Sequence, residues 1–399
     1  MQNQGWKDYE VWYNFLRFMN ILLKYIAQYI VVLFLFFINP IAYSAPIPKP
    51  PNPSVKSYVL MDYDSGMIIA SKNPDLILPP ASITKIMTSY IAFTELQNNA
   101  LSMNEKVLIS KKAWKTGGSK MFIEVGKKVK VSDLLHGIIT SSGNDASVAL
   151  AEHISGDEET FSVYMNQIAQ SLGLTNTNYV NSTGLPDDGL YTTAKDMAVL
   201  SKSLIKNFPK EYRYYSNKSY IYNEIKQYSR NKLLYLDSTV DGIKTGYTKK
   251  AGYCLVSSAH RGKRRLISVV MGAKNPEQRT NVSKALLEYG FRFYETHKIF
   301  NVDENIHKAR LYNGDKSEIS LGVIEDAYIS IPRRSIKKIT KKYIIDRNLT
   351  APVEAGESVG FVAIQLNNKT VTRIELFAME PVGLGSVYQR TLDSILKSF

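Results

Sequence analysis

Residues 79–91 read Pro79-Pro80-Ala81-Ser82-Ile83-Thr84-Lys85-Ile86-Met87-Thr88-Ser89-Tyr90-Ile91. Paired prolines cannot continue a preceding element but suit the start of a helix. After them Ile83, Ile86, Met87, Tyr90 and Ile91 recur at helical spacing. The stretch predicts a largely buried helix with Ser82 in its first turn and Lys85 three residues later on the same face. A serine becomes a nucleophile beside a base, and a partly desolvated lysine amine is such a base.

The pattern alone carries little, because Ser-x-x-Lys recurs from Ser203, Ser229, Ser335 and Ser394. Lys-Thr-Gly occurs at residues 115–117 and 244–246, and Ser-Gly-Asn once at 142–144. The information lies in the order: Ser142 follows Ser82 by 60 residues and Lys244 follows it by 162, whereas the Lys115 copy precedes Ser142. In this set Ser82 attacks a carbonyl carbon, Lys85 as free amine takes its proton, and Ser142 relays a proton between Lys85 or Lys244 and the leaving amine. Asn144 offers an amide donor for a peptide carbonyl of the substrate. Thr245 and Thr248 set hydroxyls beside the cation of Lys244, which suits a terminal carboxylate. The two lysines disfavour each other's protonation, which predicts a neutral Lys85 near pH 7.

Working outward, residues 58–61 and 67–70 flank Asp64-Ser65-Gly66 and read as two strands joined by a tight turn. A helical stretch over 131–139 runs into Thr140-Ser141-Ser142-Gly143-Asn144, and runs at 252–259 and 266–273 form a hairpin around Arg261-Gly262-Lys263. Strands at both ends with helices between predict an α+β domain over residues 55–300. From Lys308 the pattern turns to short alternating runs broken by Asp, Asn, Gly and Pro, a small all-β, sandwich-like domain over 301–382. Residues 383–399 place Val387, Leu392, Ile395, Leu396 and Phe399 on one stripe, an amphipathic helix suited to a membrane interface.

At the other end, Lys7, Arg17 and Lys24 precede ten apolar residues at 29–38, followed by Ala42-Tyr43-Ser44-Ala45. This is the layout of an export signal over residues 1–44, too short in its apolar core for a spanning helix. A proline-rich linker follows at 45–54.

Composition agrees with export into an anionic environment. The 399 residues are 44% apolar and 22% charged, with a net charge of +14, which excludes collagen-like and wholly disordered chains. Without the first 44 residues the balance is 47 basic to 34 acidic side chains. Such a surface favours anionic polymers and lipid headgroups. One cysteine, Cys254, rules out an intramolecular disulfide and a thiolate-built metal site, and its apolar strand predicts burial rather than reactivity. The basic run Arg333, Arg334, Lys337, Lys338, Lys341 and Lys342 reads as a solvated face, and no nucleic-acid motif stands beside it.

The ordered motifs resemble the active-site set of serine-type penicillin-recognising enzymes, which lies on a helix, a loop and a sheet edge around one cleft. MFIEVGKKVKVSDLLHGIITSSGNDASVALAEHISG at 121–156, VDGIKTGYTKKAGYCLVSSA at 240–259 and LTAPVEAGESVGFVAI at 349–364 look like the D-alanyl-D-alanine carboxypeptidases, the low-molecular-mass penicillin-binding proteins. The resemblance runs from about Ser57 to the end. It implies a helical cluster against an antiparallel sheet, and a serine carboxypeptidase that removes the terminal D-alanine of peptidoglycan pentapeptide stems through an acyl-enzyme on Ser82. It further implies acylation by β-lactams, no metal or cofactor, and a place on the periplasmic face of the inner membrane, held by the C-terminal helix. The family's oxyanion hole falls on the backbone N–H groups of Ser82 and Tyr247 beside Gly246, and its carboxylate arginine on Arg279. Tyr247 stands where members often carry His, which bears on substrate preference.

Two other readings compete. A class A β-lactamase has a glutamate between the second and third motifs that activates the deacylating water, yet residues 161–186 hold no carboxylate. Glu152, Glu158 and Glu159 come earlier and read as surface charges. A catalytically silent cell-wall-binding protein would need the basic surface but not the complete motif set. The five histidines serve neither a Gly-x-Ser-x-Gly elbow nor a His-Glu-x-x-His metal pattern.

Overall fold

The computed structural model describes residues 5–37 and 48–397, which fall into an N-terminal unit and the body of the chain. The N-terminal unit is one helix, Gly5–Phe37. Among the described residues no helix is long and apolar enough to cross a membrane. The expected cleavage stretch at 42–45, the first part of the linker and Phe399 lie outside the described residues.

The body is built on a five-stranded antiparallel sheet of β1 (Ser57–Asp62), β2 (Ile68–Lys72), β3 (Val240–Thr248), β4 (Gly252–Arg261) and β5 (Arg264–Ala273), in the order β2-β1-β5-β4-β3. Both expected hairpins are present, and β1 returns to pair with β5, Tyr58 opposite Val270. Side chains alternate across a strand, so Val59, Met61, Val256 and Val269 enter one core while Tyr58, Leu60, Leu255 and Val270 enter the other. Burial of both faces explains why these strands read as continuous apolar runs. The first core receives the helices Lys85–Gln97, Asn144–Ser155 and Ala194–Asn207, and the second is closed by Pro276–Phe293. Strand β3 has β4 on one side only and so presents an edge.

The domain boundary differs from the expected one. Strand Tyr294–Phe300 pairs antiparallel with Ala327–Pro332, and so belongs to the all-β part rather than to the catalytic part. A continuous 276–300 pattern hides this, because the helix passes directly into the strand at Tyr294. A five-stranded sheet of residues 307–378 shares one core with that pair: Phe300, Ile329 and Ile331 meet Leu321, Val362, Ile364 and Leu376. Buried Asp62 accepts from Arg264 at 3.3 Å and from Thr296 at 2.5 Å, linking β1 to the first strand of the β part. The helix Val387–Leu396 follows, closed at its start by a capping box between Ser386 and Gln389.

Candidate active site

Ser82 sits in a single 3₁₀ turn, Ala81–Thr84, that leads into the helix Lys85–Gln97. The residue before it, Ala81, is held in the left-handed region at φ 51°. This strained entry is fixed by close packing on two sides. A Cβ added to Gly184 would run into the Ala81 carbonyl, and one added to Gly246 would stand 3.0 Å from the Ser82 nitrogen and 3.1 Å from the Pro80 carbonyl. Glycine at 246 thus lets the edge strand β3 press against the turn, bringing Tyr247 alongside Ser82 in the cleft.

Lys85 is fully buried, with its Nζ 3.3 Å from Ser82 Oγ. It also donates to Asn144 Oδ1 at 2.6 Å and to the Thr183 carbonyl at 2.5 Å. Burial is the main force on its proton, bringing the pKa from 10.5 to about 7, and the cation of Arg230 pushes the same way. Burial and Arg230, rather than the expected rivalry with Lys244, lower Lys85, and the rivalry appears on Lys244 instead. Lys244, buried on β3, is held well below its ordinary value by burial first, then by Lys85, Arg230 and Arg279. Both amines are thus pushed below the ordinary lysine value.

The helix Val131–His136 continues into a π turn, Gly137–Ser141, capped by Ser142 in the left-handed conformation at φ 62°. Wide turns and a left-handed cap both re-aim a side chain. Ser142 Oγ is buried, makes no hydrogen bond among the described residues, and lines the same cleft as Ser82. Asn144 is placed otherwise than expected. Its amide donates to the Gly117 carbonyl at 2.7 Å while its oxygen receives Lys85, so the side chain ties the lysine to that loop and keeps one N–H beyond these two bonds. Gly117 belongs to the Lys-Thr-Gly copy that the motif order rejects, yet its carbonyl fastens Asn144 to the loop that carries Ser119 into the cleft wall. Asp145 braces the same wall, accepting from the Met121 and Phe122 N–H groups at 2.8 and 2.9 Å.

The cleft encloses about 490 Å³, lined by Ser82, Ser142, Thr245, Tyr247, Arg230 and Arg279 among others. Arg279 is 6% exposed and donates to the carbonyls of Gly246 and Cys254, both at 3.3 Å. Its guanidinium also lies 5.6 Å from the Tyr253 ring, on which Tyr247 stacks. Thr248 does not face this cleft. It accepts from the Ala251 N–H and lines a second cavity of about 330 Å³ with Pro79, Ala81, Gly184 and Lys250. Along a strand Thr245 and Tyr247 share one side and Thr248 takes the other.

Sequence reasoning missed Arg230, whose Nη1 donates to Ser119 Oγ at 2.7 Å across the cleft wall. It stands inside the Ser-x-x-Lys copy at Ser229, and Ser229 and Lys232 line the cleft too. Glu158 is also more than a surface charge. Its carboxylate accepts from Ser182 N and Oγ at 3.1 and 2.8 Å, fixing the loop whose Thr183 carbonyl holds Lys85. Cys254 is wholly buried, and burial pushes its thiol up to about 11. Among the described residues no group of acidic, His or Cys side chains is arranged to hold a metal ion.

A serine at the end of a strained turn, a buried amine beside it, a second serine across the cleft and a cationic pocket at a sheet edge define a serine acyl-transfer enzyme of the penicillin-recognising class. The chain belongs to the D-alanyl-D-alanine carboxypeptidase family, whose model matches residues 44–275, while residues 294–383 match the C-terminal domain of penicillin-binding protein 5. It is 42% identical over 375 residues to the D-alanyl-D-alanine carboxypeptidase DacC of Escherichia coli, covering 92% of this chain and 94% of that one. Penicillin-binding protein 5 of Haemophilus influenzae superposes with a TM-score of 0.80 at 42% identity, over 84% of this chain and 99% of that one. Penicillin-binding protein D2 of Listeria monocytogenes, in its ampicillin-bound form, superposes with a TM-score of 0.56 at 31% identity, over 61% of this chain and all of that one.

Proposed function

We propose that this chain is an exported serine-type D-alanyl-D-alanine carboxypeptidase that removes the terminal D-alanine from peptidoglycan pentapeptide stems and is acylated by β-lactams. The observation that carries this reading is the 3.3 Å approach of the buried Lys85 amine to Ser82 Oγ at the mouth of a cleft with cationic walls.

Lys85 as free amine takes the Ser82 proton while Oγ attacks the carbonyl carbon of the penultimate D-alanine. The developing oxyanion lies against the N–H groups of Ser82 and Tyr247, which the Gly246 contact holds together. Ser142 passes a proton to the nitrogen of the departing D-alanine, and water then releases the acyl group from Ser82. Thr245 and Arg279, which line the cleft, receive the substrate's terminal carboxylate, with Arg230 adding positive charge at the wall and Lys244, buried behind them on β3, backing the pocket. Thr248 serves this pocket only through the turn that it closes with Ala251.

Features near the two ends of the chain support the proposed location. A basic stretch before an apolar run suits export, and the C-terminal helix leaves Val387, Tyr388, Leu392 and Ile395 exposed on one side. That side lies in the membrane interface and holds the enzyme at the periplasmic face of the inner membrane.

The test is mass spectrometry of the purified chain after benzylpenicillin, with D-alanine release from an acyl-D-Ala-D-Ala peptide measured alongside. A lasting penicilloyl group on the Ser82 peptide and released D-alanine are expected. Drug consumed without an adduct would move the assignment to a β-lactamase, and an unmodified Ser82 to a silent wall-binding protein.

A further inference from the structure

Beside the cleft stands a hairpin of Ser219–Tyr222 and Ile225–Tyr228 that the chemistry does not use. Its two faces differ in a way that strand alternation makes plain. On the inner face Tyr220 stacks on His136 at 4.7 Å, and Gln227 donates to the Met121 carbonyl at 3.3 Å. On the outer face Ile221 is 61% exposed and Tyr228 60%, with exposed Lys226 opposite Ile221. Tyr235 and Leu236, 46% and 61% exposed, continue that surface, since Tyr235 Oη donates to the Lys218 carbonyl at 2.5 Å.

Two lysines sit over these rings: Lys226 Nζ lies 5.5 Å from the Tyr228 centroid and Lys218 Nζ 5.7 Å from that of Tyr235. An ammonium over a ring face leaves the aromatic body and the charge presented together. One carboxylate, Glu224, stands in the hairpin turn, against the cations Lys218, Lys226, Arg230 and Lys232. The surface is also continuous with the site, because Tyr228 is followed directly by Ser229 and Arg230, which line the cleft.

We infer that this outer face is an extended substrate subsite for the glycan-linked part of the peptidoglycan strand whose stem enters the cleft. Sugar rings pack on exposed aromatic faces, and carboxylates along the stem meet the lysines. The inference rests on the carboxypeptidase reading but has its own readout. Exposed apolar groups in such a patch otherwise mark a docking surface of another kind, and the test separates these.

Two variants, Tyr228→Ser with Lys226→Ser, and Tyr235→Ser alone, are compared with the parent full-length chain on purified peptidoglycan by co-sedimentation. They are compared again for D-alanine release from a short acyl-D-Ala-D-Ala peptide and from soluble glycan strands bearing pentapeptides. The expected result is about five- to tenfold weaker retention on peptidoglycan, with kcat/KM for glycan strands down by a similar factor through KM. Release from the short peptide and acylation by benzylpenicillin stay within about twofold, which also shows that the variants fold. Unchanged retention on peptidoglycan, or equal losses on both substrates, would overturn the inference. Weaker binding to anionic lipid vesicles with unchanged peptidoglycan retention would overturn it in favour of a membrane surface. If the parent releases no D-alanine at all but the variants still lose retention, the subsite stands and the carboxypeptidase reading falls.

Discussion

Lys85 Nζ lies 2.6 Å from Asn144 Oδ1, and Asn144 in turn is tied by its amide to Gly117. The side chain expected to meet the substrate thus also holds the lysine proposed as base, and its placement makes the lysine's direction depend on a loop 27 residues upstream. Replacing Asn144 by Ala removes one of the three partners within hydrogen-bond reach of the amine and leaves Ser82 Oγ and the Thr183 carbonyl. Acylation by benzylpenicillin should slow by about tenfold to a hundredfold, while the apparent Kd for the intact drug changes less. Stopped-flow acylation over a range of drug concentrations separates the two.

Lys85 has a pH signature of its own. Its folded pKa of about 7 stands below the ordinary 10.5, chiefly through burial. With the free amine as the proposed base, acylation should climb as pH rises through about 7, and Lys85→Ala should abolish it. For stability, the unfolded chain between those two values holds a proton that the fold has shed, so stability rises with pH across that window. The penalty is fully present below the folded value and is gone above 10.5. Denaturant melts at pH 7 and pH 10 should show the parent gaining more stability on going alkaline than Lys85→Met. An equal gain would refute a neutral, buried lysine.

Gly246 tests the oxyanion geometry without touching a polar side chain. A methyl group there meets the Ser82 nitrogen and the Pro80 carbonyl, both backbone atoms that cannot swing aside. Gly246→Ala should therefore push β3 from the turn and cost about a hundredfold or more in the acylation rate, the scale of a lost oxyanion donor. The melting temperature should move only slightly, because one edge strand shifts while both cores remain.

Arg279 lines the cleft where the substrate carboxylate is proposed to bind and also clamps the Gly246 and Cys254 carbonyls. Arg279→Lys keeps a cation but loses the Nη1 that holds both carbonyls and the Nη2 that reaches the Arg230 carbonyl. It should raise KM for acyl-D-Ala-D-Ala by about tenfold and leave a substrate with an amidated terminus nearly unaffected. Equal effects on both substrates would reduce Arg279 to a brace for β3.

Much of this arrangement is written locally. The Ser82 helix, the hairpins around Gly66 and Gly262, and the motif order all rest on periodicity and spacing, which a linear chain carries. What stayed hidden depends on contacts between distant segments. Arg230 lies in a stretch that resembles any solvated turn, and only the fold sets it across from Ser119. Asn144 looked free because its partner Gly117 sits in a discarded motif copy. Thr248 differs from Thr245 by the pleat and by the turn to Ala251, and the boundary at Tyr294 is masked by a helix that becomes a strand without a break.

The C-terminal helix is docked by one side, which leaves the side proposed to meet a membrane uncovered. Asp393, 7% exposed, pairs with Arg310 at 2.8 Å and accepts from the Asn313 N–H at 2.7 Å, so the helix seats its polar side on the β part. Val387, Tyr388, Leu392 and Ile395 then face away, each at least 46% exposed. A chain ending before Gly385 should no longer sediment with anionic lipid vesicles, and Leu392→Ser with Ile395→Ser should weaken that binding by about tenfold or more. Asp393→Ala, which removes the seat but not the apolar side, should leave vesicle binding within about twofold. If Asp393→Ala matched the truncation, the seat rather than the exposed side would be what holds the protein at a membrane. Full retention of the truncated chain would rule out the helix as an anchor.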